Sequence, residues 1–92
     1  MQQPVSAEIE EELRPILAAG FSVSGSEYSA AFGNFYVDLL RGTEKLRIIR
    51  DRNPYMVQGN ESKLKAAGLS MAFDSKDDFF AALSRYAIGA GP

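Results

Sequence analysis

Asp38 and Asp51 form the carboxylate pair in this sequence whose positions let both stand on one exposed surface. Two carboxylates are the classical device for general acid–base work, and glycosidic chemistry would need them roughly 5–9.5 Å apart around a sugar-sized cleft. Other routes are narrow. The chain has no histidine and no cysteine, so neutral-pH proton transfer through imidazole, thiolate attack, thiolate metal sites and disulfides all fall away. An enzyme built here would be left with paired carboxylates, an activated lysine, or a serine served by an unusual base. The plainer reading is that Asp38 and Asp51 balance neighbouring arginines, and no catalytic residue is expected.

The densest charge feature is Lys45-Leu46-Arg47-Ile48-Ile49-Arg50-Asp51-Arg52. From Arg41 to Arg52, Arg41, Lys45, Arg47, Arg50 and Arg52 stand against Glu44 and Asp51, a local charge of +3. Three uses are open to such a strand. It can meet phosphates while Tyr36 or Tyr55 stacks on bases. It can recognise an acidic protein surface through bidentate arginine contacts. Or it can be a solvated face whose long stems cover apolar neighbours and discourage edge-to-edge pairing. The opposite feature is Glu8, Glu10, Glu11 and Glu12, with no positive charge before Arg14. That cluster suits a basic groove such as a nuclease active site, or simply an exposed helical face, with Glu10 and Arg14 as its one compensating i,i+4 pair. Asp74, Asp77 and Asp78 lack the spacing and distal glutamate of an EF-hand loop, and Gly25, Gly33 and Gly42 form no phosphate cradle. No metal and no cofactor is expected.

The elements that must position these groups follow from periodicity. Ser6 reads as an N-cap, and Ile9, Leu13, Ile16 and Leu17 recur at i, i+4, i+7 and i+8, predicting an amphipathic helix over residues 7–19 that Pro15 kinks or breaks and Gly20 stops. Beyond Gly20 the period becomes two. Phe21 and Val23 alternate with serines until Gly25, and from Asn34 onward Phe35, Val37 and Leu39 share one face while Tyr36, Asp38 and Leu40 share the other. Arg41-Gly42-Thr43-Glu44 is a hairpin turn. Leu46 and Ile48 then continue the inward face against Lys45, Arg47 and Ile49, and Asn53-Pro54 turns the chain into a short strand at Tyr55-Met56-Val57. Residues 60–68 read as a loop or one helical turn, and Leu69, Met71 and Phe73 as a short extended segment. Ser75 caps a final helix carrying Phe79, Phe80, Leu83, Tyr86 and Ala87 and ending at Gly89. Burying two helical stripes and one sheet face together gives an α+β fold: N-terminal helix, three- to four-stranded antiparallel meander, C-terminal helix, both helices on one sheet face. Phe35, Phe73, Phe79 and Phe80 should dominate its core.

Composition agrees with a single domain. Over 92 residues, 46% are hydrophobic and 24% charged, close to the globular average; a chain of this size buries roughly 60–65% of its unfolded surface in one core. Residues 1–5 and 89–92 are expected to be loose. A net charge of −2 argues against a general nucleic-acid or membrane-surface binder. With neither a signal-peptide pattern nor an apolar run long enough to span a bilayer, a cytoplasmic location is the default expectation.

The order Gly20-Phe21-Ser22-Val23, Phe32-Gly33-Asn34 with Val37 and Leu39, then Leu46-Arg47-Ile48-Ile49-Arg50-Asp51-Arg52 resembles a loose group of short bacterial proteins of unassigned role, some of them similar to immunity proteins that neutralise a toxin. The likeness covers residues 9–58, and its most specific part is Arg50-Asp51-Arg52. Asn53-Pro54-Tyr55 departs from it. The resemblance implies a binding protein and no catalytic residue. Together these features point to a non-enzymatic protein-binding module, of inhibitor or immunity type, acting by occlusion through the exposed sheet face, with Tyr36, Asp38, Arg47, Arg50, Asp51 and Arg52 as contacts. The alternative is a small nucleic-acid-binding accessory domain using residues 45–52. A homodimer through a strand edge or the same face would compete with the first use.

Overall fold

The computed structural model describes residues 9–29, 34–52 and 54–89. They form α1 (Glu10–Ala18), β1 (Ser22–Ser29), β2 (Asn34–Arg41), β3 (Glu44–Arg50), β4 (Tyr55–Gln58), α2 (Glu61–Ala66) and α3 (Lys76–Gly89). The four strands lie in chain order as one antiparallel sheet, β1-β2-β3-β4. The mixed α+β architecture is the one the periodicities predict, with four strands in the meander. Ser6, the expected helix cap, and Asn53 lie outside the described residues, as do 1–5 and 90–92; Gly89 closes α3.

The strict alternation of β2 and β3 is what fixes the layers. Phe35, Val37 and Leu39 with Leu46 and Ile48 are buried, while Tyr36, Asp38, Leu40, Lys45, Arg47 and Ile49 point the other way. A register slip of one residue would exchange the two sets. Gly42 sits at φ +61° as the first central residue of the two-residue hairpin loop, a position that favours glycine because a Cβ there is strained. On the buried side, Leu13 and Ile16 of α1 and Phe79, Phe80, Leu83, Tyr86 and Ala87 of α3 join the sheet in one hydrophobic cluster. Lys76 Nζ pins α3 to Glu12 of α1 at 2.6 Å. The helical layer stops short of β1: Val23 and Tyr28 share the face of Leu39 and Phe35, yet remain 39% and 46% exposed.

Several local expectations need correction. α1 runs through Pro15 without a break and ends where Gly20 turns at φ +109°; in so short a helix the missing Pro15 amide removes only one internal hydrogen bond. Of the two readings of 60–68, loop or helical turn, the helical one holds, as the short helix α2. Asn60 caps it by accepting from the Lys63 amide at 3.1 Å. At its other end, Leu69 N–H donates to Leu64 O and Gly68 N–H to Lys65 O, a Schellman closure with Leu64 and Leu69 both buried. The 69–73 segment is not a strand; only Phe73 bridges to Tyr55, and Met71 is exposed. Ser75 does cap α3, its Oγ accepting from the Asp78 amide at 3.2 Å.

Tyr55 is the centre of the aromatic core. Its ring lies 5.6 Å from Phe79 and from Phe80 and 6.2 Å from Phe35. Such pairs contribute about 0.5–1.5 kcal/mol beyond the area they bury. Packed there, Tyr55 is not available to stack on a base.

Candidate functional site

Strand pairing lays out the open face of the sheet as three cross-strand rows. The first is Glu27–Tyr36–Ile49–Met56, the second Gly25–Asp38–Arg47–Gln58, the third Ser22–Leu40–Lys45. Residues directly opposite in an antiparallel pair stand side by side, which makes each row a continuous strip of side chains. Among the described residues, no hydrogen bond, ion pair or ring contact reaches these rows from a helix.

A ladder of polar contacts holds the centre. Arg47 Nε and Nη2 donate to Asp38 Oδ1 and Oδ2 at 2.7 and 3.1 Å, a bidentate fork. The same guanidinium lies 4.0 Å over the Tyr36 ring, and Tyr36 Oη donates to Glu27 Oε2 at 2.9 Å. That bond to Glu27 pushes the Tyr36 phenol above its usual range, and the bond to Asp38 does the same for Arg47. Both side chains therefore keep their charge state across all ordinary pH. Two shallow grooves flank the ladder. One, about 500 Å³, has Tyr36, Ile49, Met56 and Arg47 among its lining; the other, about 550 Å³, lies between Leu40, Lys45, Arg47 and Gln58.

Of the six residues singled out from sequence, Tyr36, Asp38 and Arg47 share the polar ladder, and Tyr36, Arg47, Arg50 and Asp51 line the groove of about 500 Å³. Arg50 pairs with Phe35 and Tyr55, its guanidinium 6.0 Å from the Tyr55 ring, and it also borders the groove beside Tyr36. Its Nε donates to Arg52 O at 3.0 Å. Arg52 occupies a left-handed turn at φ +68°, and its amide donates to Asn34 Oδ1 at 2.7 Å. Asp51 is exposed in the same turn, its amide bonded to Pro54 O. Arg50, Asp51 and Arg52 thus brace the β3–β4 connection. Asp51 stands four positions along the chain from Arg47, roughly 13 Å at strand spacing, and Asp38 gives both oxygens to Arg47. The two aspartates do not converge on one site.

Glu27, Ile49 and Met56 belong to the site and were not singled out. Alternation placed Ile49 beside Arg47, but nothing in the sequence tied Glu27 to Tyr36, because β1 carries an irregularity between Val23 and Gly25 that hides its register. A second node sits where the sequence predicts only a turn. Arg41 Nη1 donates to Ala19 O and Ala87 O at 3.1 and 2.9 Å, Nη2 to Glu44 Oε1 at 3.0 Å, and its guanidinium lies 4.2 Å over Phe21. Tyr86 Oη donates to the other Glu44 oxygen. Burial alone would push the Glu44 carboxyl up, but the bonds from Tyr86 and Arg41 outweigh it and hold it below its usual value.

The acidic helix is partly compensated: Glu12 is held by Lys76, and Arg14 reaches Glu11 at 3.5 Å. Glu8 lies outside the described residues. Among the described residues no three acidic side chains cluster as a metal would need, and no helix is long and apolar enough to cross a membrane.

No family model, curated protein or solved structure matches this chain. The functional reading therefore rests on the geometry of the face itself.

Proposed function

We propose that the protein is a non-enzymatic binding module that covers a partner protein's working surface with its open sheet face, in the manner of inhibitor or immunity-type proteins, in a cytoplasmic setting. The observation that carries this reading is the first row: Tyr36, Ile49 and Met56 lie half-buried and uncovered beside a guanidinium already held in place. Tyrosine and arginine around an apolar centre are the residue types that dominate binding energy at protein interfaces. The bidentate fork and the Glu27–Tyr36 bond remove rotamer freedom before any partner arrives, which lowers the ordering cost of association. Phosphate recognition has less support, since Arg47 is committed to Asp38, Tyr55 to the core, and Arg50 and Arg52 to a turn.

Affinity capture from the native host's lysate tests the reading. The variant Ile49→Lys should lose most of what the wild type retains, and Lys65→Ala on α2 should lose nothing. Equal retention by Ile49→Lys would place the binding surface elsewhere.

A further inference from the structure

Among the described residues, the charged members of the three rows are Glu27 and Asp38 on β1 and β2, and Lys45 and Arg47 on β3, with Arg50 and Asp51 adding one charge of each sign at the edge of the groove. Two negatives and two positives cancel, so the face has no net charge to attract an acidic or a basic partner. It does have polarity, with one half acidic and the neighbouring half basic. A surface with that pattern is complementary to itself after a half-turn. From this geometry we infer that a second copy of the chain seats on the open face, sheet against sheet; the inference rests on the binding-face reading above and names one occupant for it.

The symmetry can be specified. Two identical faces in contact are related by a twofold axis lying in the interface. If the axis runs across the strands, the first row falls on the third, Asp38 lies over Asp38 of the partner subunit, and Arg47 over Arg47 of the partner subunit. Like charges then meet at the centre, which is unfavourable. If the axis runs along the strands, β2 of one copy lies over β3 of the other, and every row falls on its own equivalent. Tyr36 then covers the partner's Ile49, Glu27 lies over the partner's Met56, and Leu40 lies over the partner's Lys45. In the second row, Asp38 lies over the partner's Arg47. Each guanidinium keeps its own Asp38 through Nε and Nη2, and its remaining N–H groups face a second carboxylate. Aligned sheets of this kind pack roughly 30° apart, as the strand twist requires.

The area fits a concentration-dependent dimer. Four strands about 4.8 Å apart, seven or eight residues long for the three longer ones, present roughly 450 Å² per copy, or about 900 Å² in all. That lies just below the ~1,000 Å² threshold and among weak, reversible associations. The four-charge centre costs desolvation, so the first row supplies most of the affinity and the second row selects the orientation.

Charge exchange provides the test, read by sedimentation velocity and light scattering on the full chain from about 10 μM to 1 mM. Wild type should self-associate across this range, in line with a small interface. Asp38→Arg places two positive groups in the second row and Arg47→Asp two negative ones, so each single variant should associate at least ~30-fold more weakly by like-charge opposition. An equimolar mixture of the two should recover association, because each then supplies what the other lacks. The double variant carrying Asp38→Arg and Arg47→Asp in one chain restores the pair with its polarity reversed. It should associate like wild type, which separates a lost interface from a lost fold.

A wild type that stays monomeric at 1 mM overturns the dimer. So does a mixture of the single variants that stays monomeric, or association that survives both single changes, which would assign it to another surface such as the β1 edge. A monomeric wild type whose partner capture still falls with Ile49→Lys removes the second copy and leaves the binding face standing. If Ile49→Lys alters neither capture nor association, both readings fail.

Discussion

Arg41 and Arg47 are surrounded by the same chemistry. Each lies about 4 Å over an aromatic ring, Phe21 or Tyr36, and each donates to a carboxylate, Glu44 or Asp38. Beside each, a tyrosine hydroxyl donates to a carboxylate, Tyr86 to Glu44 and Tyr36 to Glu27. What differs is reach and solvent. The Arg41 node joins the end of α1, the end of α3 and the β2–β3 hairpin, and its ion pair is 27% and 20% exposed. The Arg47 node joins neighbours within the sheet, and its ion pair is 44% and 30% exposed. The same residue types therefore staple the fold in one place and present a surface in the other. Residue chemistry alone does not separate scaffold from site; connectivity does.

Truncating the two arginines puts the contrast to its strongest test. Arg41→Ala strands the Glu44 carboxylate and two backbone carbonyls in a half-buried setting, and should cost about 2–4 kcal/mol, lowering Tm by roughly 10–25 °C for a domain of this size. Arg47→Ala removes a solvent-facing pair and should cost under ~1 kcal/mol. Urea and thermal unfolding of both variants decide the matter; equal losses would erase the distinction.

Tyr86→Phe comes next. It leaves one Glu44 oxygen without its donor and should cost about 1–2 kcal/mol near neutral pH. The pH dependence gives a sharper signature. Burial, then the bond to Glu44, pushes the Tyr86 phenol up to about 12, above its ordinary 10.0. A group whose pKa is raised in the folded state contributes fully below its unfolded pKa, and that contribution is lost as pH rises through the folded one. The gap between wild type and Tyr86→Phe should therefore be full at pH 8 and shrink between pH 10 and 12. Unfolding curves across that range that stay parallel would contradict the assignment.

A smaller effect belongs to the pin between the helices. The hydrogen bond from Lys76 holds the Glu12 carboxyl below its ordinary value of 4.5. A depressed carboxyl contributes stability above its unfolded pKa and loses it as pH falls through the folded value. Glu12→Gln should cost about 0.5–1 kcal/mol at pH 7, since the pair is part-exposed, and nothing at pH 2. Acid titrations of the two proteins should converge as pH falls below 4.5.

These differences also mark how much was legible in the sequence. The β2–β3 hairpin could be read because Phe35 to Leu40 and Lys45 to Ile49 alternate without interruption around a glycine turn, and α3 because Ser75 precedes a broad apolar stripe. Tyr36, Asp38 and Arg47 followed from that alternation. On the same parity Arg50 takes the side of Leu46 and Ile48, at the strand end where it also borders the groove beside Tyr36. Tyr55 likewise shares its side with Val57. The Arg41 staple could not be read, because its partners Ala19, Tyr86 and Ala87 lie 22 to 46 residues away. Nor could β1, where the irregularity after Val23 breaks the period that would have announced Glu27. α2 was hidden for a different reason: with Leu64 as its one large apolar residue, its caps rather than its periodicity define it.

The smallest expected effect is the most discriminating. Tyr36→Phe deletes the same hydroxyl as Tyr86→Phe and frees the same kind of carboxylate oxygen, but Glu27 is exposed and water replaces the lost donor. Its cost should stay below ~0.5 kcal/mol, against about 1–2 for Tyr86→Phe. The ring that supports Arg47, and that would meet the partner's Ile49 in the proposed dimer, is retained, so self-association should change less than ~3-fold, whereas Tyr36→Ala should abolish it. If Tyr36→Phe instead destabilised the fold as much as Tyr86→Phe, the open face would be holding the sheet together. Its side chains would then be part of the scaffold, and the surface available to a partner would have to be sought along the overhanging β1 strand, at Val23 and Tyr28.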